Sequence, residues 1–262
     1  MSKKINFLTW KESLKSVPKT FVAYKKDSIA AIDEAKKERR LLAPLIFTAL
    51  FFCSCVFLIG AHYRGVDFFI DNSNSFLNDY ALLKNTTVFS VGSSLLLGLI
   101  LFAIFYIVYV FTRFVCVMIF SRGTKGKIVL LESIIEFGMN AIPLTAFFLI
   151  SGVLSDLVWW SFYPLITFLS LFFMIMLIRS IFDAVDRKKQ KSLLVFVMTV
   201  CIFIALLLIN AFMIAVLGYS LLTIAQSVYE NTAKILNTIM NDIEIWLKNF
   251  IFGFINSQDI LN

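Results

Sequence analysis

Residues 193–217 read LLVFVMTVCIFIALLLINAFMIAVL, twenty-five positions without a charge, inside an uncharged interval that runs from Lys191 to Glu230. A helix needs about 20 apolar residues to cross roughly 30 Å of hydrocarbon, so this stretch is long enough to span a membrane. Working outward, four more uncharged intervals lie between Arg40 and Arg64, Lys84 and Arg113, Glu136 and Asp156, and Asp156 and Arg179. The reading predicts five spans, near 41–60, 88–112, 138–154, 158–178 and 193–217. Pro143 falls inside the third and is expected to interrupt it.

Composition agrees. Of 262 residues 60% are hydrophobic and 16% charged, with 29 Phe, and the mean hydropathy is +0.86. A soluble domain is about 45–50% apolar and 25% charged, so one aqueous core cannot absorb this excess. The expected fold class is all-α, a polytopic integral membrane bundle of five transmembrane helices. Disorder, a disulfide scaffold and a coiled-coil rod are excluded by the same numbers.

The net charge of +7 is not a nucleic-acid signal, because of where it lies. Eleven Lys and Arg occupy 1–40; Arg113, Arg122, Lys125 and Lys127 follow, then Arg179, Arg187, Lys188, Lys189 and Lys191. Only Arg64, Lys84, Lys234 and Lys248 fall on the other side of the alternating spans. This asymmetry predicts a cytoplasmic N-terminus and an external C-terminus. The first 40 residues contain no apolar core of a cleavable signal, so the first span is expected to direct insertion.

Three segments follow: a basic amphipathic tail over 1–40, a membrane domain over 41–217 and an external amphipathic helix over 218–262. In the tail, Thr9-Trp10-Lys11-Glu12 fits a capping box opening a short helix that ends before Pro18. A second helical pattern covers 20–40, its basic residues suited to membrane anchoring or to anionic lipid. Residues 61–87 read as the one sizeable loop, whose Asn85-Thr86-Thr87 is a weak glycosylation sequon. His62 and Tyr63 are placed at the membrane interface. Cys53, Cys55, Cys116 and Cys201 read as buried structural thiols. Ser94 and Gly98 form a small-xxx-small pair suited to a close helix contact.

Two features carry candidate sites. Glu132 and Glu136 lie four apart on one helical face at a membrane edge, where Arg113, Arg122 or Arg179 is the expected ion-pair partner rather than a catalytic acid pair. Past the fifth span, Leu236, Ile239, Ile243, Leu247, Phe250 and Phe254 recur at steps of three and four, a helix stripe that must be buried against the membrane surface, the protein's own outer loop or a partner. That stripe is the expected partner-binding surface. No phosphate loop, HExxH, Gly-x-Ser-x-Gly or Cys-x-x-Cys is present, so catalytic, metal and cofactor residues are expected to be absent and the chain is not expected to be an enzyme.

The segment Phe137-Gly138-Met139-Asn140-Ala141-Ile142-Pro143 resembles prokaryotic members of the Yip (Rab-interacting Golgi protein) family, in which a glycine followed by a proline opens the third span. The five-span plan with a cytoplasmic N-terminal region and short basic inner loops is similar too, over roughly 35–217. The acidic tail motif of the eukaryotic members is missing, so Rab binding is not implied. The resemblance implies a non-enzymatic membrane organiser; some bacterial relatives are accessory components of ABC exporters or of envelope-stress resistance. The expected partners are membrane lipids and other integral membrane proteins, an ABC transporter complex among them, in a bacterial plasma membrane. A transporter or channel subunit and a membrane immunity protein against a toxin are the alternatives.

Overall fold

The computed structural model describes residues 10–39, 41–75, 90–120, 126–185 and 191–258, with side chains over 15–39, 41–71, 90–120, 126–185, 194–230 and 232–249. Seven α-helices and one 3-10 turn, and no strand, occur among the described residues: α1 Trp10–Lys26, α2 Ser28–Glu38, α3 Leu42–Ser75, α4 Val91–Phe120, α5 Gly126–Leu157, the turn Trp159–Ser161, α6 Phe162–Ala184 and α7 Lys191–Gln258. Five of them are long and apolar enough to cross a membrane. The protein is an all-α, multi-pass membrane helix bundle.

Each of the five long helices overruns its uncharged interval at the C-terminal end, and α5 does so at both ends. Residues 61–75, read as loop, continue α3, and only 76–89, which include Asp79 and the sequon, lie outside the described residues. A charge ends a membrane crossing because ions avoid hydrocarbon, but it does not end a helix. Pro143 likewise sits inside an unbroken α5. In a packed membrane helix the backbone groups that a proline frees are satisfied by neighbours, so the residue is tolerated. Pro18 is internal to α1, and the break comes nine residues later. There Asp27 adopts extended backbone and its carboxylate accepts from the Ile29 and Ala30 amides, capping α2. The capping box at Thr9 lies outside the described residues.

The centre is the pair α3 and α5, which make the most extensive helix contact and run parallel. Small residues let the backbones meet. A Cβ on Gly138 would overlap the carbonyl oxygen of Pro44 and lie 2.7 Å from its Cα, and one on Gly152 would lie 2.6 Å from the Phe57 ring. Gly65 is pressed in the same way against the carbonyls of Ser155 and Asp156. Across α3, Gly98 of α4 faces the Val56 backbone, where a Cβ would be 2.6 Å from Cα, and Ser94 is buried one turn earlier. Phe51 fills the middle, its ring edge-on to Phe105, Phe137 and Phe148 at centroid distances of 6.0, 5.9 and 5.0 Å. Edge-to-face packing of this kind exceeds its area burial by about 0.5–1.5 kcal/mol per pair. Cys55 and Cys116 are buried and Cys201 is half-buried, but Cys53 is exposed, because two residues along a helix turn it away from Cys55.

Candidate functional site

The polar interior gathers at the end of the bundle where α2 docks. Arg113 of α4 is 1% exposed, though it lies within a helix otherwise suited to lipid. Its Nε donates to Ser180 Oγ at 2.9 Å, its Nη1 to Ser133 Oγ at 2.8 Å, and its Nη2 lies 2.9 Å from Glu136 Oε2. Three helices therefore meet on one guanidinium, whose planar fork is suited to such convergence. The Ser133 hydroxyl donates in turn to the Val129 carbonyl at 2.8 Å. The same Glu136 oxygen receives a second cation, Lys36 of α2, in a close ion pair. One turn on, Asn140 donates through Nδ2 to the buried Tyr109 hydroxyl at 2.8 Å.

Of the residues singled out from the sequence, Arg113 and Glu136 come together. Glu132 is half-buried and forms no ion pair among the described residues, while Arg179 faces Asp183 on its own helix at 3.9 Å. Arg122 lies outside the described residues. Gly138 and Pro143 serve the α3–α5 contact and the cavity wall, respectively. Lys36 was legible only as one of a run of membrane-edge cations; nothing in its spacing showed that it turns inward. Ser133 and Ser180 carried no signal, since serines are common in packed membrane helices.

Beside this cluster lies a cavity of about 550 Å³ enclosed by α1, α2, α5 and α6. Its floor holds Glu136, Asn140 and Ser180, and its mouth Asp33, Arg179 and Asp183, while Pro143, Phe172, Ile175 and Met176 form the deeper wall. Tyr24 closes one side; burial pushes its phenol up to about 12, with the Arg179 guanidinium pulling the other way, so it stays a neutral donor.

At the opposite end His62 departs from its expected interfacial place. It is fully buried, its Nε2 is 3.1 Å from Ser220 Oγ of α7, and its ring stacks on Phe162 at 4.3 Å. Phe162 of α6 and Ser220 of α7 are far away in sequence, so this burial leaves no local signal. Beside it the rings of Tyr63 and Tyr219 meet at 5.8 Å.

Beyond the buried Ser227 α7 leaves the bundle. No break separates the fifth span from 218–258, and Gly218 has nothing within 4 Å of a Cβ placed on it. Leu236 is 56% exposed and Ile239, Ile243 and Leu247 are 45%, 48% and 44% exposed. Met240 and Trp246, both exposed, widen the stripe. Phe250 and Phe254 continue it in sequence, with side chains outside those described. Among the described residues no three His, Cys, Asp or Glu side chains converge as a metal site would require. No family model, no curated protein and no solved structure matches the chain.

Proposed function

We propose that the protein is a scaffold of a bacterial plasma membrane that binds another integral membrane protein through α7, with the N-terminus in the cytoplasm and the C-terminus outside. The observation that carries this reading is the exposed stripe Leu236, Ile239, Ile243 and Leu247 on a helix that continues directly from a membrane span. Burying each such side chain is favourable by roughly 1.5–3 kcal/mol, and soluble surfaces seldom leave a contiguous patch of this kind bare. A helix lying flat on the bilayer would need a break where it leaves the span, and α7 has none between Lys191 and Gln258. Its polar face carries both signs, with Glu244 and Lys248 paired at 2.7 Å, whereas surface-bound membrane helices are usually rich in Lys and Arg. These points favour a protein groove over lipid. The Yip-like resemblance, carried by Gly138, Pro143 and the five-span plan, points to the same class, an exporter accessory included.

A transport subunit is the second reading, favoured by the buried charges of Arg113 and Glu136 inside apolar helices. Photo-crosslinking from position 239 in intact cells separates the two. A membrane partner captured there, and lost in Ile243→Asp/Leu247→Asp while the spans remain inserted, supports the scaffold. Unchanged partner and activity in that double variant rejects it.

A further inference from the structure

The cavity beside Glu136 has a gradient of chemistry along its depth. Down α6 its lining passes from Phe172, Ile175 and Met176 to Arg179, Ser180 and Asp183. Along α5 it passes in the matching sense, from Pro143 to Asn140 and Glu136. Apolar wall and polar mouth therefore line up on both helices, as they would around an amphiphile held at a membrane boundary. The apolar side is open to the lipid zone, since Ile175 is 65% exposed while lining the cavity.

The polar end has a definite charge pattern. Glu136 is met by two cations, Lys36 and Arg113, so this triad carries one net positive charge. What remains at the mouth is one guanidinium, Arg179, and two carboxylates, Asp33 and Asp183. Arg179 and Asp183 stand 3.9 Å apart with more than half of each side chain exposed, so both can reach a ligand. A guanidinium suits a phosphate diester, and a carboxylate suits a primary ammonium that can donate hydrogen bonds. Triad and mouth together carry no net charge, which suits a zwitterionic headgroup better than a simple anion.

We infer that this cavity is a binding site for a zwitterionic phospholipid with a phosphate diester and a primary ammonium, an ethanolamine-type headgroup, whose acyl chain lies along Phe172, Ile175 and Met176. The site is independent of the scaffold reading, because it uses no residue of α7. Ser180 and Asn140, bonded to Arg113 and Tyr109, make the floor polar beneath the glycerol ester region, and Tyr24 supplies a neutral hydroxyl at the side.

The test uses the full-length protein purified in mild detergent and exchanged into mixed vesicles of phosphatidylethanolamine, phosphatidylcholine and phosphatidylglycerol in equal amounts. Lipid retained through repurification is then quantified by mass spectrometry. We expect at least tenfold enrichment of phosphatidylethanolamine over phosphatidylcholine, whose methylated ammonium has no hydrogen to donate. Asp33→Asn/Asp183→Asn, at two exposed carboxylates, removes the preference between these two lipids. Arg179→Gln lowers retention of both. Equal retention of the three lipids, or a preference untouched by the aspartate pair, overturns the proposal. Glycerophosphoethanolamine, the headgroup without chains, is expected to compete at least a hundredfold more weakly; equal competition would show a free-phosphoester site and overturn the lipid assignment.

Discussion

Glu136 gathers two cations on a single carboxylate oxygen, and so ties α2, α4 and α5 to one point. Half of that point was legible in the sequence. Arg113 and Glu136 stood out because a charge inside an apolar helix needs a partner, and each was the other's candidate. Lys36 and the two serines were not legible, since their roles depend on how α2 and α6 fold over the cluster rather than on any local spacing. The energetics follow from burial. An ion pair taken out of water is weak evidence of net stability, but removing one partner leaves the other buried and uncompensated, at about 3–5 kcal/mol. Glu136→Gln is therefore expected to lower the unfolding midpoint in detergent sharply, and Arg113→Met/Glu136→Leu to recover most of the loss. An unchanged midpoint in Glu136→Gln would show that the pair is not structural. Full stability combined with a lost partner would assign the carboxylate to function instead.

The five crossings could be read from charge alone, while the lengths of the helices could not. Charged residues locate the ends of hydrocarbon, and helix ends are set by capping and breaking groups such as Asp27, which the structure shows at work. Glycines add a distinction that composition hides. Gly138 sits where α5 touches the first turn of α3, and its missing Cβ makes room for the Pro44 backbone, which cannot swing aside. Gly218 lies mid-helix in α7 with open space around it. Gly138→Ala is expected to cost roughly 1–3 kcal/mol through forced separation of the two helices. Gly218→Ala is expected to be neutral or to stabilise by about 0.5–1 kcal/mol, because alanine is the better helix former. Thermal unfolding of the two variants side by side checks this. Equal effects would mean that the α3–α5 contact is looser than the fold implies.

At the scale of the molecule the dominant shape is α7, whose 68 residues extend for about 100 Å at 1.5 Å each. A bilayer's hydrocarbon takes roughly 30 Å of that length, so a long rod must stand outside it. Its stripe was visible in the sequence as a period, but its continuity with the span was not, since 218–262 reads there as a separate segment. If the rod projects outside the cell and its stripe is covered by a partner, accessibility to a membrane-impermeant maleimide must vary around the helix. In a chain whose four cysteines are replaced, single cysteines at Asn237, Asn241 and Lys248 are expected to label quickly on intact cells. Those at Leu236, Ile239 and Ile243 are expected to label several-fold more slowly, though they are 45–56% exposed in the isolated chain. A cysteine at the exposed Lys37 is expected to label only after the membrane is opened. Labelling of position 37 on intact cells would reverse the orientation. Equal rates on both faces of α7 would show a bare stripe, and slow labelling on both faces a rod held on the cytoplasmic side or wholly enclosed; either result removes the support that the docked rod gives to the scaffold.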